Sequence, residues 1–138
     1  MMIALTHHAI DIRSVEASVL DPSCGAVLTF LGTARNHFEG RPVTHLSYEA
    51  YEAVALAELN KIAQECSANW PGCKTSIVHR LGTVPVTEPT VVICTATPHR
   101  PACYAANRYA LEALKARVAI WKKEIYEDGS AWKANSPT

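Results

Sequence analysis

Basic side chains are concentrated around one predicted helix late in the sequence. The helix, residues 102–117, is preceded by a histidine and an arginine, and further cations lie at its end and just beyond it: His99, Arg100, Lys115, Arg117, Lys122 and Lys123. The whole chain contains 13 basic and 13 acidic residues, so its formal net charge is zero. A local excess of cations in such a chain predicts a pocket that binds an anion.

A surface ion-pair stripe is the alternative interpretation of the same helix. Arg108, Glu112 and Lys115 are spaced i, i+4 and i+7, which places them on one helix face. Lysines near a helix C-terminus also interact favourably with the helix dipole. The pattern alone leaves both interpretations open. Trp121 beside the paired lysines indicates an anchored loop after the helix.

A second candidate anion site follows an apolar, β-branched run at residues 24–31, which predicts a buried strand that ends before Gly32. The glycine, Thr33 and Arg35 together could bind a phosphate through backbone N–H groups and a guanidinium. A plain exit from strand to loop is the more common meaning of such residues.

Thiol chemistry is a further possibility, because the chain contains five cysteines. They are scattered and form no C-x-x-C pair, so the sequence predicts neither a zinc site nor a disulfide framework. Cys103 lies at a predicted helix start, where a thiol pKa can be lowered and the sulfur made reactive.

The length and composition indicate one globular domain over residues 1–138. Hydrophobic residues make up 49% and charged residues 19% of the chain, which excludes a disordered protein. No apolar run is long enough to span a membrane, and the first residues do not resemble a signal peptide. We therefore expect a cytoplasmic protein.

The predicted elements alternate between strands and helices with short connections. Apolar residues recur every three or four positions in residues 52–70, which predicts another main helix besides residues 102–117. Further strands are predicted at residues 43–51, 75–81 and 90–97. This order indicates an α+β fold with a mixed, mostly antiparallel sheet. His79, within a strand, is interpreted as structural. The sequence contains no glycine-rich nucleotide loop and no metal-ligand spacing.

Several segments, taken together and in order, resemble the large, catalytic subunit of molybdopterin synthase. The similarity extends over residues 24–135 and includes FLGTARNH at 30–37, LSYEAY at 46–51, VHRLG at 78–82, PHR at 98–100, LK at 114–115, IWKKE at 120–124 and DG at 128–129. One departure is Ala119, which stands where many relatives have proline.

The resemblance implies an α/β-hammerhead type of α+β fold and a sulfurtransferase of molybdenum cofactor biosynthesis. Members of the family convert cyclic pyranopterin monophosphate to molybdopterin. Their sulfur comes from the C-terminal Gly-Gly thiocarboxylate of a small ubiquitin-like subunit. Two large subunits form a homodimer within a heterotetramer, and the reaction requires no metal or other cofactor.

The resemblance also implies a set of site residues. Lys115 and Lys122 are expected to be catalytic: the first contacts the thiocarboxylate and the reacting carbon, and the second transfers a proton or stabilises the leaving phosphate, although the two roles could be reversed. The residues expected to bind substrate are Thr33, Ala34, Arg35, His99, Arg100, Lys115, Lys122, Lys123 and Glu124.

Helix geometry predicts that this site is shared between two chains. At a rise of 1.5 Å per residue, residues 102–115 of a continuous helix extend over roughly 20 Å. His99 and Lys115 therefore cannot contact one small substrate within one chain. Two other functions stay open: a sulfurtransferase that carries sulfur on Cys103, and a non-catalytic binder of a phosphorylated small molecule.

Overall fold

The computed structural model describes residues 1–134, in which strands precede, separate and follow three helices. The elements in chain order are β1 (Ile3–Thr6), α1 (Ile12–Ala17), β2 (Ala26–Thr33), β3 (His37–Phe38), β4 (Arg41–Ala50), α2 (Glu52–Asn69), β5 (Lys74–Arg80), β6 (Gly82–Pro85), β7 (Pro89–Thr97), α3 (Arg100–Arg117), β8 (Ile120–Tyr126) and β9 (Ala131–Ala134).

The strands form two sheets. The first has the order β1-β5-β7-β2, and only its β1–β5 pair is parallel. The second has the order β3-β4-β8-β9, with β6 paired to β4, and all its pairs are antiparallel. The predicted α+β class with mostly antiparallel strands and two main helices is therefore confirmed.

The two long helices pack on one face of the first sheet. Ala55, Leu59 and Ile62 recur along α2 at helical spacing and are buried. In α3, Ala106 and Ala110 are buried against the same cluster, and their small side chains let the helix approach the sheet closely. Burial of these apolar faces fixes α3 across the first sheet, so that its last turn lies beside β8.

The prediction of an anchored loop after α3 is wrong, because residues 120–124 belong to strand β8. Residues along β8 alternate between buried and half-exposed, and the strand pairs with β4 on one side and β9 on the other. The charged residues Lys122 and Glu124 occupy buried positions, so hydropathy shows no strand-like alternation.

The prediction of a buried strand that ends before Gly32 is wrong for β2. It is an edge strand that continues through Gly32 to Thr33, and Val27 and Leu31 are 44% and 40% exposed. An apolar run was expected to be buried on both faces, but on the face away from α3 only Thr29 is half-buried, where its hydroxyl donates to Glu16 of α1. At Gly32 a Cβ atom would lie 2.8 Å from a methyl carbon of Val91, which explains the glycine.

Two expectations remain outside what the structure tests. The assignment of residues 1–138 to one domain stays a prediction, and residues 135–138 lie outside the described residues. Among residues 1–134, no helix has the length and apolar character needed to cross a membrane.

Candidate active site

A cavity of about 300 Å³ lies where the C-terminal end of α3 meets both sheets. Its apolar wall comes from β2, β4, β7, α3 and β8 and includes Phe30, Leu46, Val91, Leu114 and Ile120. Basic side chains reach the cavity from three separate parts of the chain: Arg35, Lys115 and Lys122. An apolar cavity with a few convergent polar groups is typical of a small-molecule site.

Lys115 reaches the cavity from the last turn of α3 and is half-buried. Burial lowers the pKa of its ammonium group below the usual 10.5, and the nearby charges of Lys122 and Arg35 lower it further. The carboxylate of Glu112 acts in the opposite direction. The environment therefore makes Lys115 easier to deprotonate than a surface lysine.

Lys122 and Glu124 are neighbours on the inward face of β8, because residues two apart on a strand point to the same side. Lys122 Nζ lies 3.0 Å from Glu124 Oε1. The hydroxyl of Tyr126 donates a hydrogen bond to the other carboxylate oxygen at 3.1 Å. Glu124 is thus a buried carboxylate with a cation and a hydroxyl as partners, and it offsets the charge of Lys122 inside the cavity.

Thr33 and Arg35 reach the cavity at the end of β2, where the register with β7 shifts between Gly32 and Thr33. Ala34 lies between them but does not line the cavity, because its side chain is buried against Val84 and Tyr126 in an apolar cluster behind the wall residue Leu46. Its backbone N–H donates to Glu88 O, and its carbonyl accepts from the N–H of Thr87. Ala34 therefore anchors the segment instead of lining the cavity.

His79 and Tyr48 line the cavity although the sequence analysis gave neither a functional role. Their rings are in edge-to-face contact, with centroids 4.9 Å apart. Burial lowers the pKa of His79 to about 4 and raises the pKa of Tyr48 to about 12. Both side chains are therefore uncharged near neutral pH. The sequence feature that could have indicated a functional role is a titratable residue at an inward-facing position of each strand.

Other predicted site residues do not line the cavity of their own chain. His99 and Arg100 are exposed at the first turn of α3, at the end of the helix opposite Lys115. Lys123 occupies a half-exposed position on β8 and points away from its inward face. Arg117, part of the predicted cation cluster, pairs instead with Glu65 of α2 at 2.7 Å.

Cys103 is buried between α3 and the first sheet. Its thiol donates to the carbonyl of Thr95 at 3.3 Å, and the residue is 2% exposed. The cavity lining does not include it. Among residues 1–134, no group of three or more His, Cys, Asp or Glu side chains is arranged to hold a metal ion.

Comparisons with known proteins agree on one family. The sequence profile of the MoaE protein family matches residues 5–117. A "Molybdopterin synthase catalytic subunit" from Taeniopygia guttata is 46% identical over 134 residues, which cover 96% of this chain and 86% of the relative. A protein of the same name from Drosophila mojavensis is 49% identical over 136 residues, but these 96% of the chain span only 37% of that longer relative.

A crystal structure of molybdopterin synthase from Staphylococcus aureus has a similar fold. The TM-score is 0.91 at 37% sequence identity, and the match covers 94% of both chains.

Proposed function

The chain belongs to the MoaE protein family, and on that premise we propose that it is the catalytic subunit of a molybdopterin synthase. It transfers sulfur to cyclic pyranopterin monophosphate. The sulfur donor is the C-terminal thiocarboxylate of a small ubiquitin-like subunit, and the product is molybdopterin. We also propose a cytoplasmic location; the five cysteines are free, as is usual in a reducing compartment.

The observation that carries this proposal is the combination of three cations with an apolar wall in one cavity. The substrate joins a flat heterocycle to a cyclic phosphate, and the incoming tail brings a negatively charged sulfur. The apolar wall suits the ring system. Arg35 suits the phosphate, because a guanidinium can donate two parallel hydrogen bonds to its oxygens.

The two lysines differ in a way that suits two different tasks. Lys115 has a lowered pKa and no carboxylate within ion-pair distance among the described residues. It can exchange a proton near the reacting carbon and attract the thiocarboxylate. Lys122 contacts the buried carboxylate of Glu124. That contact holds its ammonium group in place to stabilise negative charge on the leaving phosphate.

The position of His99 and Arg100 supports a site shared by two copies of the chain. Within one chain they are separated from Lys115 by α3, which is roughly 25 Å long at 1.5 Å per residue. Their cationic and imidazole groups suit a phosphate, and they lie exposed outside the cavity of their own chain. In a two-fold dimer each copy supplies them to the other's cavity.

Strand β2 offers an edge through which the two copies can pair. Among the described residues, β2 has a neighbouring strand on one side only. The N–H of Gly25 donates to Pro98 O at 3.2 Å, so the start of β2 lies beside the His99 segment. Antiparallel pairing of two β2 strands about Thr29 would set Gly25 of one copy opposite Thr33 of the other. The second copy's His99 would thereby approach the Arg35 side of the cavity.

A mixing experiment tests the shared site. Lys115→Ala and Arg100→Ala variants are each expected to be inactive as homodimers. Co-expressed and purified as a tagged heterodimer, they should regain one intact site and about half of the wild-type activity. Heterodimers that form but stay inactive would contradict sharing. Two copies of Lys115→Ala with different tags serve as the control.

A second experiment tests the β2 edge. Leu31→Lys introduces a charge on the exposed face of β2 and is expected to shift the sedimentation of the chain from dimer to monomer. Val54→Lys is the matched control, because Val54 is also apolar and 61% exposed but lies on α2. Equal effects of the two changes, or none from Leu31→Lys, would exclude β2 as the interface.

The activity itself is tested by incubating the purified chain with cyclic pyranopterin monophosphate and thiocarboxylated small subunit. Molybdopterin is measured after oxidation to a fluorescent derivative. Wild-type chain should form product, and Lys115→Ala should not, whereas Lys61→Ala removes an exposed lysine of α2 and should leave the rate unchanged. Binding of the pterin without turnover would favour the alternative of a non-catalytic binder.

A further inference from the structure

His79 is the one imidazole among the described residues that is both buried and part of the cavity wall. It lies on β5, and its ring packs edge-to-face on Tyr48 of β4. These contacts fix the plane of the ring from two different sheets. A side chain held in this way can present a defined polar atom to a ligand.

The hydrogen bonding of His79 determines which ring nitrogen carries the proton. Nδ1 lies 2.8 Å from the carbonyl oxygen of Arg80. A carbonyl oxygen can only accept a hydrogen bond, so Nδ1 carries the hydrogen. In the neutral ring the second nitrogen, Nε2, then has an unshared electron pair and acts as an acceptor.

Nε2 is available to a ligand. Among the described residues, Nε2 of His79 has no hydrogen-bond partner. If it were also buried, it would be a buried polar atom without a partner, but Nε of Arg80 is the only such side-chain atom in the described part of the chain. Nε2 therefore retains access to the cavity that His79 lines.

The charged groups of the cavity do not duplicate this acceptor, and the other imidazole of the lining, His37, is exposed rather than buried. Arg35, Lys115 and Lys122 only donate hydrogen bonds when charged, and the carboxylate of Glu124 is already bound to Lys122 and to Tyr126. Anionic parts of a ligand are attracted to the cations. A neutral acceptor beside an apolar wall instead suits an N–H or O–H group on the uncharged part of the ligand.

We propose that Nε2 of His79 accepts a hydrogen bond from a ring N–H or hydroxyl group of the heterocyclic substrate, and that His79 thereby selects and orients the ring. This inference rests on the proposed function, because it assumes a pterin in the cavity. It assigns His79 a role in substrate binding and none in proton transfer.

Two substitutions separate the two nitrogens of the ring. His79→Asn keeps an N–H group that can reach the carbonyl of Arg80 but has no atom at the position of Nε2. His79→Gln extends further and can place its amide oxygen near that position. If the inference is correct, His79→Asn binds cyclic pyranopterin monophosphate about five- to tenfold more weakly than wild type, as expected for one neutral hydrogen bond. His79→Gln recovers part of the loss.

Binding is measured by calorimetry without the small subunit, so that no sulfur donor is present and no turnover occurs. Pterin analogues methylated at single N–H positions extend the test. Wild type should lose affinity for one particular analogue, and His79→Asn should bind that analogue no more weakly than the unmethylated compound. If His79 had only a structural role, the loss of affinity caused by His79→Asn would not coincide with the loss caused by methylating one particular N–H group.

The outcomes distinguish this inference from the proposed function. If wild type binds and converts the pterin but His79→Asn and His79→Gln, both folded, bind as tightly as wild type, the His79 inference alone is wrong. If both variants bind normally but the pH dependence of turnover shifts, His79 acts on Lys115 and the inference is again wrong. If wild type binds no pterin, both proposals are overturned.

Discussion

Removing one partner of the Lys122–Glu124 pair should destabilise the fold strongly. The two side chains are only 9% and 2% exposed, and the charged atoms lie 3.0 Å apart. Solvent therefore compensates poorly for the missing partner. Loss of one member of such a buried pair typically costs about 3–5 kcal/mol. Because protein domains have a stability of roughly 5–15 kcal/mol, the change Glu124→Gln alone is expected to remove about a fifth or more of the free energy of unfolding.

Removing both charges should cost much less than the two single changes added together. In the double variant Lys122→Met/Glu124→Gln, no uncompensated charge stays buried, and the glutamine amide oxygen can still accept from Tyr126. We expect a coupling free energy of at least about 2 kcal/mol in the cycle of two single variants and the double variant. The double variant should be folded but inactive, which separates the contribution of Lys122 to catalysis from its effect on stability.

Urea unfolding of the four proteins, followed by circular dichroism, measures these free energies. Asp128→Asn provides a matched surface control, because Asp128 pairs with Arg41 at 3.2 Å while their side chains are 66% and 50% exposed. That change should cost less than about 1 kcal/mol. If Glu124→Gln and Lys122→Met cost no more than this control, the pair is solvated in solution and the reasoning from its burial is wrong.

Three further predictions concern single side chains. Lys115→Met should reduce product formation more than a hundredfold without lowering the melting temperature, because burial disfavours the ammonium group that the change removes; a loss of tenfold or less would limit Lys115 to binding. Cys103→Ala should retain sulfur transfer, since its thiol is buried outside the cavity; loss of transfer with intact partner binding would favour the thiol mechanism. His79 should lower the free energy of unfolding as the pH falls. Burial lowers its pKa to about 4 in the folded protein, whereas the pKa is 6.5 in the unfolded chain. Between pH 6.5 and pH 4 the unfolded state therefore takes up a proton that the folded state does not. The resulting loss, about 3 kcal/mol at 1.4 kcal/mol per pKa unit, should be absent in His79→Gln when both proteins are unfolded in urea across this range.

The long helices were predictable because the apolar residues of their buried faces recur at helical spacing within a short stretch of sequence. Leu59 and Ile62 on α2 follow the helical repeat, and the helix found, Glu52–Asn69, ends one residue before the predicted limit. Strand β8 was not predictable in this way. Its buried positions include Lys122 and Glu124, and their burial is possible only because each compensates the other. That compensation is a side-chain contact within the strand, which hydropathy does not report.

The site was predictable only in part, for a similar reason. The resemblance identified Arg35, Lys115 and Lys122, which line the cavity, but also Ala34 and Lys123, which do not. Adjacent residues on an extended segment point to opposite sides, so a contiguous motif cannot lie entirely on the cavity. His79 and Tyr48 were missed because only the packing of β5 and β4 around the cavity gives them access to a ligand.

The difference between the two lysines follows from where the chain supplies negative charge. Lys115 lies at the C-terminus of α3, where the helix dipole favours a cation, yet burial and the neighbouring Lys122 prevail and lower its pKa. Lys122 lies on a strand that also supplies Glu124, so its charge is compensated within the same element. If Glu124 were instead within reach of Lys115, the ammonium group of Lys115 would be stabilised and its proton harder to remove. Under the proposed function, the position of one carboxylate therefore determines which lysine can exchange a proton and which one holds a fixed positive charge.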